Sequence, residues 1–135
     1  MRLEKGYTAW AAELTTERTP DESAAEQFVK TDNRKFTGRD ALIARRGENP
    51  WRTVLLELIA DDIHPFYAHP VFQGDRVVGV VTSAAYGHRC NKTLAFALLR
   101  EHKTTDQLTV ELLGERYPAQ ILTTVPVDPA NARLM

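Results

Sequence analysis

The fold is decided by residues 70–99, PVFQGDRVVGVVTSAAYGHRCNKTLAFALL. Two apolar residues, Val71 and Phe72, lead into a turn at residues 73–75, and a β-branched run follows from Arg76 to Val81. Gly and Asp, which occupy the turn, tolerate the positive φ that tight hairpin turns need. The stretch therefore predicts two strands joined by a short turn.

The second half of this stretch is less regular. Residues 82–88, TSAAYGH, carry polar tips on a segment with little bulk, which predicts a loop. Two roles stay open for it: a connection between strands, or a loop that lies close to a ligand or another surface. Leu94 to Leu99 is short and apolar, so a strand and a buried helix are not separated by periodicity alone.

Other strand signals flank this stretch. Thr53 to Ile59 is a branched, strand-length run, and Leu108–Leu113 with Tyr117–Val125 forms a second hairpin pattern around Gly114. Glu101 to Asp106 reads as a polar loop between them. Short strands at close spacing predict a small antiparallel β-barrel or sandwich. The fold class is therefore mainly β (α+β), a small antiparallel β-barrel preceded by short helices.

The N-terminal third carries the helical signals. Arg2 to Lys5 resembles a last helical turn closed by Gly6. The apolar residues at 10–14 (Trp10, Ala11, Ala12 and Leu14) are then expected to bury against the rest. Pro20 to Val29 resembles a helix start continued for about two turns.

A second helix is predicted after a polar break. Thr37 to Asp40 fits the spacing of a capping box, although Asp is shorter than the preferred Glu or Gln. Ala41 to Ile43 supplies the apolar stripe, and residues 45–47, Arg-Arg-Gly, end the helix.

Composition bounds the class of protein. A chain of 135 residues is long enough for one domain, and its net charge of −1 argues against a nucleic-acid or anionic-membrane surface. The lone Cys90 is compatible with a reducing compartment. No apolar run reaches the roughly 20 residues of a membrane span, and the first ten residues do not resemble a secretory signal. We therefore expect a cytoplasmic protein.

The reactive residues do not form a self-contained catalytic set. The histidines lack a zinc spacing, and no GxxxxGK or GxSxG motif is present. Ser83 near His88 lacks an identifiable orienting acid, so a structural serine is favoured over a nucleophile. The pair Asp61-Asp62 is interpreted as a solvated loop pair. From the residues alone, the function stays open.

Three segments taken in order resemble a known family. Residues 2–7, RLEKGY, look like the R-L-E-x-G segment of the glycine-cleavage T-protein (aminomethyltransferase) family. Residues 36–42, FTGRDAL, resemble its F-x-G-R-x-A-L segment, and residues 79–88, GVVTSAAYGH, resemble its G-x-V-T-S-G segment. The Y-G-H variant and the hairpin at residues 114–119 are most similar to the relatives fused behind flavin domains, the dimethylglycine and sarcosine dehydrogenases.

The resemblance carries a fold and a ligand. The family has three small domains around a central folate pocket, and its last domain is a β-barrel. Residues 1–47 would then be the end of the middle domain plus a helical connection, and residues 48–130 the C-terminal barrel. The implied cofactor is tetrahydrofolate. Glu4 matches the family's pterin-holding glutamate, and Arg34 lies where the family places a folate-contacting arginine.

The resemblance also implies what the chain does and what it lacks. It predicts a tetrahydrofolate-associated module of a one-carbon (aminomethyl or methylene) transfer system, with no catalytic residue of its own. The catalytic half is expected on a partner, either a chain carrying the family's N-terminal half or a flavin dehydrogenase. The alternative is a non-catalytic barrel that binds or interacts, including self-association as a homo-oligomer. Two departures from the family pattern, Ala24 and Ala84 in place of glycine, narrow the backbone conformations available there.

Overall fold

The computed structural model describes residues 2–32, 34–60, 63–100 and 107–133. Its main feature is a closed antiparallel barrel in which hydrogen-bonded neighbours follow the order β1-β4-β3-β2-β5-β6, and β6 pairs back onto β1. The strands are β1 (Trp51–Leu58), β2 (Pro70–Gln73), β3 (Arg76–Gly87), β4 (Lys92–Arg100), β5 (Leu108–Leu112) and β6 (Glu115–Leu122). The prediction of a mainly β fold with a small antiparallel barrel after short helices is confirmed.

The barrel interior is filled by alternating apolar side chains. In β5, every second residue is buried, as expected for a strand with one face on the core. Leu56, Val71, Leu99 and Val110 come from four different strands and are all fully buried in one cluster. The core therefore lies inside the barrel, and its packing sets the register of the strands.

Both predicted hairpins are present. In the β2–β3 turn, Gly74 has φ +60°. In the β5–β6 turn, Leu113 and Gly114 have φ +51° and +86°, two successive positive values of the kind that a type I′ turn needs. The polar loop predicted at 101–106 lies outside the described residues.

The loop predicted at residues 82–88 is wrong for residues 82–87, because β3 continues to Gly87, and only His88 lies in the turn that follows. The strand pairs with β4 as far as Gly87↔Lys92, and small side chains such as Ala84, opposite Ala95, fit the ladder without crowding. The register shifts between Val81 and Ser83, which marks a β-bulge. The same ladder shows that residues 94–99 form a strand and not a buried helix.

The N-terminal turn follows the prediction. Leu3–Lys5 is a single 3-10 turn, and Gly6 ends it in the left-handed conformation with its N–H donating to the Leu3 carbonyl oxygen at 2.9 Å. The second predicted helix is also present, as α1 (Arg39–Ala44).

The capping box predicted for α1 is wrong. Gly38 is the N-cap and makes no side-chain capping bond, while the carboxylate of Asp40 pairs with Arg39 at 2.9 Å. A reciprocal cap exists instead at residues 19–22. The N–H of Thr19 donates to Glu22 Oε2 at 2.8 Å, and the N–H of Glu22 donates to Thr19 Oγ1 at 3.4 Å.

The helix predicted over Pro20–Val29 is also wrong. Turns occupy its first residues, and only Glu26–Phe28 forms a 3-10 turn. Ala24 has φ +53°, a conformation that no right-handed helix accommodates, and this breaks the segment.

The expected burial of residues 10–14 is wrong for Trp10 and Ala11, which are exposed, whereas Ala12 and Leu14 are half-buried. Trp10 is 72% exposed, and the side chain that is fully buried in this segment is the carboxylate of Glu13.

No helix among the described residues is long and apolar enough to span a bilayer. The division of the chain at residues 47 and 48 stays a prediction.

Candidate functional site

Glu4 lies where the N-terminal turn meets the end of β3. Its side chain is 2% exposed, and the backbone N–H of Arg89 donates to Glu4 Oε1 at 2.7 Å. The neighbouring Leu3 packs on Leu94 and Phe96, on the outer side of the barrel wall. The turn is short because Gly6 closes it at once, and this leaves the Glu4 carboxylate facing the β3–β4 connection.

The charge of Glu4 is set by two opposing effects. Burial of the carboxyl raises its pKa. Hydrogen bonds lower the pKa by more than burial raises it, and they include bonds from the backbone N–H groups of Arg89 and Cys90. The net pKa of Glu4 is therefore below the ordinary value of 4.5. Glu4 is therefore a carboxylate at neutral pH. Such a group accepts hydrogen bonds and donates none.

Gly87 is the residue that makes room for this carboxylate. A Cβ built on Gly87 would lie 2.6 Å from Cys90 Sγ, 3.0 Å from Glu4 Cγ and 3.2 Å from Glu4 Oε1. The last residue of β3 thus has its open face toward Glu4, and a side chain there would displace it.

The C-terminal residues close the other side of this turn. The N–H of Val127 donates to the Glu4 carbonyl oxygen at 3.0 Å, and Lys5 Nζ pairs with Asp128 at 2.7 Å. The Lys5 ammonium lowers the pKa of Asp128. A cleft of about 350 Å³ opens beside the turn, lined by Arg89, Pro126, Val127, Asp128 and Arg133.

A second carboxylate, Glu13, ties the segment to β3. It is fully buried and accepts hydrogen bonds from the hydroxyls of Thr82 and Ser83 at 2.7 and 2.6 Å. It also pairs with Arg2 at 3.1 Å. Neither Glu13 nor Arg2 was predicted from the sequence to have this role. The available signal was the polar pair Thr82-Ser83 within an apolar strand, which needs a buried polar partner.

Arg34, the other predicted ligand residue, lies apart from this arrangement. It is exposed and borders a cleft of about 470 Å³ with Phe28, Lys30, Lys35 and Phe36. That cleft shares no lining residue with the one beside Glu4. The structure therefore assigns Glu4 and Arg34 to different surfaces.

Of the other reactive residues, Cys90 lies beside Glu4, whereas Ser83 and Tyr86 contact other side chains. Ser83 is held by Glu13 and by Arg2, as a structural serine would be. Tyr86 contacts the rings of His64 and His88 at centroid distances of 5.9 and 5.0 Å. These rings line a cleft of about 760 Å³ at the end of the barrel. Within the described ranges, no group of three or more His, Cys, Asp or Glu side chains is arranged to hold a metal. His102 and Asp61-Asp62 lie outside those ranges.

Comparison with known proteins identifies the fold. Residues 52–128 match the family model described as "Glycine cleavage T-protein C-terminal barrel domain". This chain belongs to the glycine-cleavage T-protein family. Mouse mitochondrial dimethylglycine dehydrogenase is 36% identical over 140 residues, which cover 99% of this chain and 16% of that protein. The aminomethyltransferase of Aquifex aeolicus is 31% identical over 86% of this chain and 33% of its own length.

A solved structure agrees on the fold. The crystal structure of aminomethyltransferase T from the glycine cleavage system of Bartonella henselae superposes with a TM-score of 0.83. It is 19% identical, and the match covers 95% of this chain and 37% of that one. This T-protein family member therefore spans a small share of the relatives it matches, and corresponds to a C-terminal module of aminomethyltransferase-like proteins.

Proposed function

We propose that this T-protein family chain is the tetrahydrofolate-binding side of a one-carbon transfer system, and that Glu4 holds the pterin. The observation that carries the proposal is the ionised, buried carboxylate of Glu4, fixed by the Arg89 N–H at 2.7 Å. When bound, tetrahydrofolate supplies the acceptor for an aminomethyl or methylene carbon. No side chain of this module is assigned a catalytic role.

The chemistry of Glu4 fits a pterin edge. The edge presents adjacent N–H donors, and a carboxylate presents two oxygens with about four lone-pair sites. The Arg89 N–H holds Oε1 of this carboxylate at 2.7 Å and so limits its rotation. Charged acceptors make hydrogen bonds roughly twice as strong as neutral ones, and their orientation makes recognition selective.

The catalytic group is proposed to lie outside this module. The chain covers 16% of dimethylglycine dehydrogenase and 33% of the aminomethyltransferase. We infer that a partner, or another part of a longer protein, supplies the family's catalytic half. The candidates are a chain resembling the N-terminal half of the T-protein and a flavin dehydrogenase.

The N-terminal segment offers a surface for such a partner. Trp10 and Phe28 are 72% and 70% exposed, and Phe36 is also exposed. Among the described residues, the cations Lys30, Arg34 and Lys35 around the phenylalanines make no ion pair. Phe28 and Phe36 border one cleft with these cations, and exposed apolar side chains next to charged ones are typical of interaction surfaces. The same surface supports the second candidate function, a non-catalytic interaction module or homo-oligomer.

Calorimetric titration with 5-formyltetrahydrofolate, a reduced folate that resists oxidation, tests the proposal. We expect micromolar binding by the wild type and a loss of about tenfold or more in Glu4→Gln, because the amide replaces one acceptor with a donor that faces the pterin N–H groups. The matched control is Glu17→Gln, which makes the same charge change at an exposed position of the same segment.

The proposal is overturned if the folded wild type shows no heat at millimolar ligand, or if Glu4→Gln and Glu17→Gln bind equally well. Sedimentation equilibrium on the same samples measures the oligomeric state and so distinguishes the folate-binding function from the interaction module. A stable dimer without folate binding would favour the interaction module.

A further inference from the structure

The Glu13 carboxylate joins the Glu4 segment to the barrel through directional contacts. Glu13 Oε1 accepts the hydroxyls of Thr82 and Ser83, and Oε2 accepts the N–H of Ala9 at 2.8 Å and Arg2 Nη1 at 3.1 Å. One end of the carboxylate thus faces β3, and the other faces the chain around Glu4.

The bulge in β3 makes this arrangement possible. Neighbouring residues of a regular strand point to opposite faces, so Thr82 and Ser83 would not normally reach one atom. The register shift between Val81 and Ser83 turns both hydroxyls toward Glu13 Oε1. The two small polar side chains of this motif therefore bind a carboxylate of this chain.

Arg2 carries the contact onward to Glu4. Its Nη1 donates to Glu13 Oε2 and to the Tyr7 carbonyl oxygen at 2.8 Å, and its Nη2 donates to Ser83 Oγ at 2.8 Å. The guanidinium also lies over the ring of Phe96, 5.7 Å from its centroid. A side chain held at so many points fixes the backbone two residues before Glu4.

We propose that Glu13 is a positioning residue for the Glu4 site. Through Arg2 and the Thr82-Ser83 pair, it sets where the Glu4 carboxylate meets the Arg89 N–H, and thereby the affinity for the pterin. The consequence for affinity rests on the proposed function of Glu4, whereas the consequence for Glu4 geometry does not.

Apolar packing alone does not supply this positioning. Leu3 rests on Leu55, Leu94 and Phe96, but apolar contact is non-directional and tolerates sliding of the turn along the wall. Hydrogen bonds weaken steeply with distance and angle, so the Glu13 contacts select one placement. A buried charge is retained here although an apolar substitute would avoid its desolvation cost.

The experiment uses two variants of the full chain. Glu13→Gln leaves one carbonyl oxygen and replaces the other oxygen with an NH₂ group. That NH₂ group then faces either the hydroxyls of Thr82 and Ser83 or the donors Arg2 and Ala9. Ser83→Ala removes one hydroxyl and leaves the carboxylate, so it keeps the test available if Glu13→Gln does not fold. Val110→Ala, in the barrel core away from the segment, is the stability control.

Three readouts are compared: the amide proton shift of Arg89, the pKa of the Glu4 carboxyl by ¹³C NMR, and the Kd for 5-formyltetrahydrofolate. We expect Glu13→Gln to move the Arg89 proton upfield, to raise the pKa of Glu4 toward its ordinary value, and to weaken binding about tenfold. Ser83→Ala shifts all three in the same direction by less, and Val110→Ala shifts none.

The inference is overturned if the folded Glu13 and Ser83 variants lose stability as Val110→Ala does, with the Arg89 shift and the pKa of Glu4 unchanged. If the two spectroscopic readouts move but no variant, nor the wild type, binds the folate, the positioning role stands and the proposed function fails. One set of samples thus tests the positioning role of Glu13 and the folate-binding role of Glu4 separately.

Discussion

The barrel and the segment before it are built on different physical principles. The barrel is closed around apolar side chains such as Leu56 and Leu99, which no solvent reaches. The segment at residues 2–32 instead buries three glutamates, Glu4, Glu13 and Glu22, and two of their carboxylates bind groups of the barrel half. The barrel therefore owes its fold to non-directional burial, and the segment owes its placement to directional hydrogen bonds.

This difference separates stability from recognition. Apolar burial sets most of the free energy of unfolding, whereas a buried carboxylate contributes little net stability but strictly constrains what it touches. The candidate ligand residue, Glu4, lies on the polar side of this division.

The largest expected effect comes from the barrel. Leu56→Ala leaves a cavity in the fully buried cluster, and we expect it to lower the free energy of unfolding by about 2–5 kcal/mol. Urea unfolding measures this change. A loss below about 1 kcal/mol would contradict the assignment of the barrel as the main source of stability.

A smaller effect is expected where the two regions meet. Gly87→Ala places a methyl against Cys90 Sγ and Glu4, and we expect a loss of about 1–3 kcal/mol in thermal or urea unfolding. Adding Cys90→Ala removes the sulfur contact, so the double variant should recover part of the loss and keep the part due to Glu4. Full recovery would show that Glu4 is not displaced.

Lowering the pH should weaken the contacts of the N-terminal turn with the rest of the chain. The folded-state pKa of Glu4 is lowered, so its stabilisation is fully present above the unfolded value of 4.5 and is lost as the pH falls through the lowered pKa. The pKa of Asp128 is also lowered, by its hydrogen bond with Lys5, so its contribution to stability is lost on acidification as well. We expect Glu4→Gln to flatten the acid limb of a stability–pH curve below about pH 5. An unchanged limb would contradict a lowered pKa of Glu4 in the folded protein.

The smallest effect concerns two alanines in different backbone conformations. Ala24 has φ +53°, whereas Ala84 lies in the β3 ladder and is not among the residues of positive φ. We expect Ala24→Gly to raise the free energy of unfolding by about 0.5–1 kcal/mol, and Ala84→Gly to lower it by a similar amount. Equal effects at the two positions would contradict the backbone conformations described here.

The sequence predicted the apolar half of the molecule better than the polar half. Alternation and the turn glycines Gly74 and Gly114 were enough to indicate both hairpins, because those signals are local. The sequence does not indicate that residues 82–87 form a strand, since small polar side chains resemble a loop until their partner, Glu13, is known. That partner lies 69 residues away in the chain.

The site was predicted only through resemblance. The R-L-E-x-G motif indicates Glu4, and the structure adds the Arg89 N–H and Gly87 beside it and Glu13, which reaches it only through Arg2. Nothing local in the sequence indicates these contacts, because they join residues far apart. The same resemblance indicates Arg34, whose exposed cleft shares no lining residue with the cleft beside the N-terminal turn.

The central claim is that folate binds at Glu4, and amide NMR of the ¹⁵N-labelled chain during addition of 5-formyltetrahydrofolate tests it most directly. We predict shifts concentrated at Gly87, Arg89 and Cys90, which surround the Glu4 carboxylate, and absent in Glu4→Gln. Shifts confined to Tyr86, His88 and His64 at the end of the barrel, or no shifts at millimolar ligand, would contradict it.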